Sequence, residues 1–106
     1  MRLVEKKVGE LGVVRDLPNT LDTFQEIVGG YIEVFSLTDE IMIVLNEEGK
    51  VRELEPNIEI PYRSGYTEVI VGNIAFVSSD GEDFASLTDK HIEQLTELGI
   101  LPKKEA

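Results

Sequence analysis

Ile41-Met42-Ile43-Val44-Leu45 is the stretch that decides the fold, because it is five consecutive apolar residues without a polar position. A strand with one face in solvent alternates apolar and polar residues, whereas a strand buried on both faces is apolar throughout. The stretch therefore predicts a strand at the core of a sheet.

The segments next to this strand also indicate β structure. On the N-terminal side, Tyr31-Ile32-Glu33-Val34-Phe35-Ser36 alternates and predicts a second strand. On the C-terminal side, Asn46-Glu47-Glu48-Gly49 predicts a tight turn, because Asn and Gly tolerate left-handed backbone. We expect Lys50-Val51-Arg52 to return from that turn as the second strand of a hairpin.

A first helix is expected before these strands. Asn19 is a suitable N-cap, acidic residues occupy the early turns, and Gly29-Gly30 supplies the end. The predicted apolar stripe consists of Leu21, Phe24 and Val28.

A second helix is expected near the C-terminus. Ser86-Leu87-Thr88-Asp89 is an N-cap signature with an acid three residues after the serine, and Gly99 and Pro102 form a stop signal. The predicted apolar face consists of Leu87, Ile92, Leu95 and Leu98.

The rest of the chain divides into strands and one long loop. Residues 1–16 suggest two short strands or a hairpin. Residues 55–66 carry Pro56-Asn57 and a second proline and glycine, so they predict a loop. Residues 67–71 and 74–77 predict strand, and Gly72-Asn73 between them fits either a hairpin turn or a bulge. We therefore expect one α+β domain over residues 1–106, with a small antiparallel or mixed sheet packed by two helices.

The composition restricts the classes of partner. The chain has 106 residues, 21 acidic against 10 basic, and a formal charge of −11. The adjacent basic pairs are Lys6-Lys7 and Lys103-Lys104, near the two ends, so no basic patch for direct nucleic-acid binding is expected. No apolar run suits a membrane span and no signal peptide is evident, which predicts a cytoplasmic protein without membrane contact.

Catalytic and metal-binding patterns are missing from the sequence. Without cysteine there is no thiolate nucleophile and no thiolate metal site. His91 is the one histidine, and we expect it on the solvent side of the second helix without a partner. Asp80-Gly81-Glu82-Asp83 lacks the alternating acids of a calcium loop. We therefore expect no catalytic residue, no metal and no cofactor.

Two sets of residues are candidates for binding. Tyr62, Arg63 and Tyr66 place two tyrosines and an arginine in one loop, and these residue types are enriched at interface hot spots. We predict that this loop contacts a partner protein. The alternative is a small-molecule or nucleotide pocket formed by glycine and asparagine loops, at Gly29, Gly30, Asn46, Asn57, Gly72 and Asn73.

Four segments resemble a family of small phage, plasmid and bacterial proteins known as domain-of-unknown-function family 3846. They are Val28-Gly29-Gly30-Tyr31-Ile32-Glu33, Asn46-Glu47-Glu48-Gly49-Lys50, Pro56-Asn57 and Ile70-Val71-Gly72-Asn73. The resemblance covers roughly residues 20–80. It implies no activity and no catalytic residues, but small accessory proteins of mobile elements frequently act by binding host proteins or nucleotides.

The expected function is therefore that of a non-catalytic acidic binding protein. It would be an accessory protein of a phage or mobile element that binds a host protein, as an anti-defence inhibitor or a mimic of nucleic acid. The alternative is the small-ligand pocket, and an enzyme is the least favoured reading. A strand such as residues 31–36 could also pair between two copies, which would make a homodimer.

Overall fold

The computed structural model describes residues 1–103. Within these residues, eight strands and two helices follow one another, as β1 (Arg2–Lys6), β2 (Val13–Asp16), α1 (Leu21–Val28), β3 (Ile32–Ser36), β4 (Ile41–Asn46), β5 (Pro56–Pro61), β6 (Thr67–Val71), β7 (Ile74–Ser79), β8 (Phe84–Ala85) and α2 (Asp89–Glu97). This is the predicted α+β fold.

The main sheet has the strand order β2-β1-β7-β4-β3, and the short β8 pairs with the end of β7. Every strand pair within residues 1–103 is antiparallel. The predicted N-terminal hairpin is confirmed, since β1 and β2 pair with Arg2 opposite Asp16. β4 lies between β3 and β7, with Ile43 opposite both Phe35 and Phe76. The continuous apolar run is therefore an interior strand, as its sequence predicts.

The sheet is covered on both faces. On one face α1 packs Phe24, Ile27 and Val28 against residues such as Val44 and Val77. The other face is covered by α2, the residues after it, and a separate two-stranded hairpin of β5 and β6. Successive side chains of a strand point to opposite faces, so Ile43 and Val44 are both fully buried, in different layers.

α1 starts one residue later than predicted and ends at Gly29 as predicted. Thr20 is the N-cap and accepts a hydrogen bond from the Thr23 N–H, while Asn19 donates to the Phe84 carbonyl. Gly29 ends the helix at φ 78°, in the left-handed region that suits glycine. Leu21, which was predicted in the apolar stripe, is 57% exposed. Ile27 is buried in its place, together with Phe24 and Val28. Burial of a side chain as large as Phe24 stabilises the fold by roughly 1.5–3 kcal/mol.

The predicted hairpin after β4 is wrong. Residues 47–53 form consecutive turns, in which Arg52 N–H donates to the Glu48 carbonyl at 2.8 Å. Leu54 N–H, just after them, donates to the Gly49 carbonyl at 2.9 Å. The reason lies in the sheet, because β3 and β7 already occupy both hydrogen-bonding edges of β4. A strand over residues 50–52 has no free edge of β4 to join.

The predicted long loop over residues 55–66 is also wrong for its first half. Residues 56–61 form β5, which pairs with β6, and residues 62–66 make the connecting turn. Pro56 and Pro61 stand at the two ends of a strand that pairs along one edge, where the missing N–H of proline is tolerated.

Gly72 and Asn73 form neither the hairpin turn nor the bulge that the sequence suggests. β6 and β7 belong to different sheets, and these two residues carry the chain from one to the other. Gly72 adopts φ 79°, and a Cβ there would lie 2.8 Å from Leu54 Cδ1. Both the backbone conformation and the space therefore call for glycine.

The N-cap of α2 lies two residues after the predicted Ser86. It is Thr88, whose side chain accepts from the His91 N–H, while the Ser86 hydroxyl accepts from the Arg2 N–H. The helix ends before Gly99, which has φ 81°. Of the predicted apolar face, Leu87 and Leu95 are buried and Leu98 is 57% exposed. Neither helix in residues 1–103 is long and apolar enough to cross a membrane.

Candidate functional site

His91 is buried and partnered, contrary to the solvent-exposed position expected. Its side chain is 4% exposed; Nδ1 accepts a hydrogen bond from Thr88 N–H at 3.0 Å, and Nε2 lies 3.1 Å from Glu40 Oε1. Because Nδ1 is an acceptor, the neutral ring carries its proton on Nε2 and donates it to Glu40. This hydrogen bond and the charge of Lys90 lower the pKa of the Glu40 carboxyl.

The His91 interactions serve the fold. They complete a capping box at the start of α2 and connect that helix to the residue before β4. Within residues 1–103, no group of three or more His, Asp or Glu side chains is placed to hold a metal ion.

Tyr62, Arg63 and Tyr66 lie together in the turn between β5 and β6. The turn is closed by Tyr62 N–H donating to the Tyr66 carbonyl at 2.8 Å, and Gly65 within it has φ 92°. The two tyrosine rings stack with centroids 5.7 Å apart and planes inclined by 21°. The Tyr66 hydroxyl donates to Glu68 Oε2 at 2.6 Å, which raises the pKa of Tyr66.

This turn, which we call the tyrosine tip (residues 62–66), is exposed throughout. Tyr62 is 43% exposed and Tyr66 is 59% exposed, so their rings do not cover the core. Arg63 makes no salt bridge with a residue in the described part of the chain. The tip therefore presents a preassembled aromatic pair beside a cation.

The six predicted glycine and asparagine residues meet at one end of the main sheet. Asn46 Nδ2 donates to the Val28 carbonyl at 3.0 Å, and a Cβ on Gly30 would lie 3.0 Å from the same nitrogen, so Asn46 lies against Gly30. Asn57 Nδ2 donates to the Gly72 carbonyl at 2.7 Å. We call this group the Asn/Gly corner; its members are Gly29, Gly30, Asn46, Asn57, Gly72 and Asn73.

The asparagine amides of the corner bind the protein's own backbone. The Asn46 carbonyl oxygen accepts from Glu48 N–H at 2.8 Å, and Asn73 Oδ1 accepts from Val8 N–H at 3.0 Å. Asn57 Nδ2 uses its two hydrogens on the carbonyls of Lys6 and Gly72. These amides hold together strands that are distant in sequence, and their role as ligand contacts stays a prediction.

An open cavity with a volume of about 450 Å³ lies beside the Asn/Gly corner. Gly29, Gly72 and Asn73 line it, together with Arg52, whose guanidinium donates to the Gly29 carbonyl at 3.2 Å. Gly30, Asn46 and Asn57 do not line this cavity. Half of the predicted pocket residues therefore share one concavity, and a cation lies at its edge.

Lys6 is not among the residues that the sequence singles out. It is 8% exposed, and its ammonium donates to Asn57 Oδ1 at 2.6 Å. Burial lowers the pKa of Lys6. The signal that would have found it is the alternation of β1, since Val4 and Lys6 point to the same face and Val4 is a core residue.

Lys6 and Asn57 line a groove of about 530 Å³ between the β5–β6 hairpin, the loop after β1 and the end of α2. We call it the Lys6 groove. It brings a buried cation next to mostly apolar side chains, which is the usual composition of small-ligand sites.

The fold and its corner define a small antiparallel α+β domain in which asparagine amides join the ends of several strands. The corner contains residues from all four segments that carry the family resemblance. The chain belongs to the family described as "Domain of unknown function (DUF3846)", which matches residues 1–99. The match thus also includes the N-terminal hairpin and α2, beyond the predicted residues 20–80. No curated protein and no solved structure matches the chain.

Proposed function

We propose that this protein is a non-catalytic binding protein that contacts a partner protein through the tyrosine tip. The observation that carries the proposal is the exposed stack of Tyr62 and Tyr66 beside Arg63. Tyr and Arg are enriched at interface hot spots because each offers a large contact area together with hydrogen-bonding groups.

The geometry of the tip favours binding at low entropic cost. The two rings already stack on each other, and the Glu68 carboxylate holds the Tyr66 hydroxyl. Side chains that are ordered before binding lose less conformational freedom when the partner arrives.

The charge of the chain supports a basic partner. Apart from Glu5 and Glu68, every Asp and Glu within residues 1–103 is exposed. With a net charge of −11, this surface attracts a positively charged protein at long range. We propose a host protein with a basic, nucleic-acid-handling cleft as the target, and a phage or mobile element as the source of the acidic protein.

Affinity capture from lysate of the natural host, followed by mass spectrometry, tests the proposal. The test variant is Tyr62→Ser/Tyr66→Ser, and the control is Tyr31→Ser, which removes a 64% exposed tyrosine outside the tip. We expect a specific, salt-sensitive partner to be retained by the wild type and the control and lost by the test variant. Equal retention by all three proteins, or no partner at all, would contradict the proposal.

A small-ligand function is the second candidate, and the concavity at Gly29, Gly72 and Asn73 favours it. Arg52 at its edge is the cation that an anionic ligand such as a nucleotide would need. Thermal-shift measurements with a nucleotide panel test this function. We expect stabilisation of the wild type that Arg52→Gln loses and Arg63→Gln keeps, and a panel without any shift would count against it.

A further inference from the structure

The Lys6 groove has apolar walls that the described chain leaves uncovered. Ile60 of β5, which is half-buried, and Ile100 after α2, which is buried, line it. Leu11 and Leu98 also line it, and these two side chains are 53% and 57% exposed. Exposed large apolar side chains gathered in one groove are typical of a binding surface for an apolar group.

The groove also contains a positive charge, the Lys6 ammonium, whose one hydrogen-bond partner within residues 1–103 is the neutral Asn57. The Lys6 ammonium has three hydrogens to donate, and its hydrogen bond to Asn57 Oδ1 accounts for one of them. Within residues 1–103, Lys6 forms no salt bridge. A buried charge is costly when it is not neutralised, so an anion that reached this ammonium would gain a strong hydrogen bond and relieve that cost.

Two carboxylates at the Lys6 groove disfavour a ligand that carries more than one negative charge. Glu10 and Glu59 also line the groove, and both are exposed. A phosphate or polyphosphate would bring additional negative charge toward these carboxylates and toward a protein of net charge −11. One ammonium and an apolar wall instead match a ligand with one carboxylate and a hydrocarbon body.

We infer that the Lys6 groove binds a small amphiphilic monocarboxylate. The carboxylate accepts hydrogen bonds from the Lys6 ammonium, and the hydrocarbon part lies between the apolar walls formed by Leu11, Ile60, Leu98 and Ile100. This site is separate from the tyrosine tip and does not depend on the protein-binding function.

Titration of the ¹⁵N-labelled protein, followed by its amide signals, tests the inference. The probe is octanoate below its micelle-forming concentration, and the comparisons are 1-octanol, which lacks the charge, and acetate, which lacks the chain. We expect octanoate to shift saturably the signals of residues 9–11, 58–60 and 98–100. It should bind about tenfold or more tightly than 1-octanol, which cannot form the charged hydrogen bond to Lys6. It should also bind about tenfold or more tightly than acetate, which lacks the apolar chain that the groove would bury.

Two variants and a control locate the site. Lys6→Met removes the charge but keeps an apolar stem, and we expect octanoate binding to weaken by about tenfold. Lys7→Met removes the same charge from the neighbouring exposed side chain, and its affinity should stay at the wild-type level. Leu98→Glu adds a carboxylate at the exposed rim without entering the core, and should also weaken binding.

Three results would overturn the inference that the Lys6 groove binds a monocarboxylate. It fails when octanoate does not bind, when 1-octanol binds as tightly, or when the groove variants bind like Lys7→Met. The amide spectrum of each variant reports whether it is folded. Should Lys6→Met not fold, the comparison of Leu98→Glu with Lys7→Met decides the outcome.

Discussion

Replacement of Asn57 by alanine is predicted to destabilise the protein more than its partly exposed position suggests. Its side chain makes three hydrogen bonds, two to the carbonyls of Lys6 and Gly72 and one from the Lys6 ammonium. A neutral hydrogen bond contributes about 0.5–1.5 kcal/mol and one to a charged group about 1.5–3 kcal/mol. Since such contributions are not fully additive, we expect a loss of about 3 kcal/mol.

The loss has a second cause in the charge of Lys6. Without Asn57, the buried ammonium has no hydrogen-bond partner in the part of the chain that the structure describes. Lys6→Met removes that charge, so the further cost of Asn57→Ala should be smaller in a Lys6→Met background by about 1–2 kcal/mol. A double-mutant cycle isolates this coupling between the two side chains.

Urea denaturation measures these changes. With a slope of about 1–2 kcal/mol per molar urea, a loss of 3 kcal/mol lowers the midpoint by about 1.5–3 M. Asn19→Ala is the control, because Asn19 makes one exposed hydrogen bond to the Phe84 carbonyl. A midpoint for Asn57→Ala no lower than that of Asn19→Ala would refute the reasoning.

Two further predictions concern pH and a glycine. The Glu40 pKa lies below its ordinary 4.5 because of His91 and Lys90. Glu40 therefore stabilises the fold above about pH 4.5, and this contribution is lost as the pH falls through the lowered pKa. The melting temperature of Glu40→Gln should fall below that of the wild type at pH 7, and the difference should vanish in acid. Equal melting temperatures at both pH values would contradict this. Gly72→Ala and Gly9→Ala both place alanine at positive φ, but the first also meets Leu54. By urea denaturation, Gly72→Ala should lose about 1 kcal/mol more, and equal losses would exclude the steric contribution.

The elements that sequence patterns predicted correctly are those with a strong local signal. The apolar run of residues 41–45 predicted an interior strand, and the glycine after Val28 predicted the helix end. Hydrophobic periodicity and capping chemistry act over a few residues, so they can be recognised without knowledge of the fold.

The wrongly predicted elements are those whose structure depends on whether another strand is available to pair with them. Residues 50–52 form no strand because β4 has no free edge, and residues 56–61 form one despite two prolines because β6 is available. Which strands pair is decided by packing of the whole sheet, and local patterns carry little information about it.

What the sequence by itself determined is the class of the protein: an acidic α+β domain with an apolar interior strand, two helices and a glycine at the end of the first helix. What only the tertiary structure decided is which polar side chains are buried and which distant partners they find, as in the Lys6 groove. Asn57 and Lys6 are 51 positions apart in the sequence, yet they share a hydrogen bond of 2.6 Å. His91 finds Glu40 over the same separation. Polar side chains become buried and hydrogen-bonded where distant strands and helices meet. The residues that surround each side chain there come from other parts of the chain, so its neighbours in sequence do not specify them.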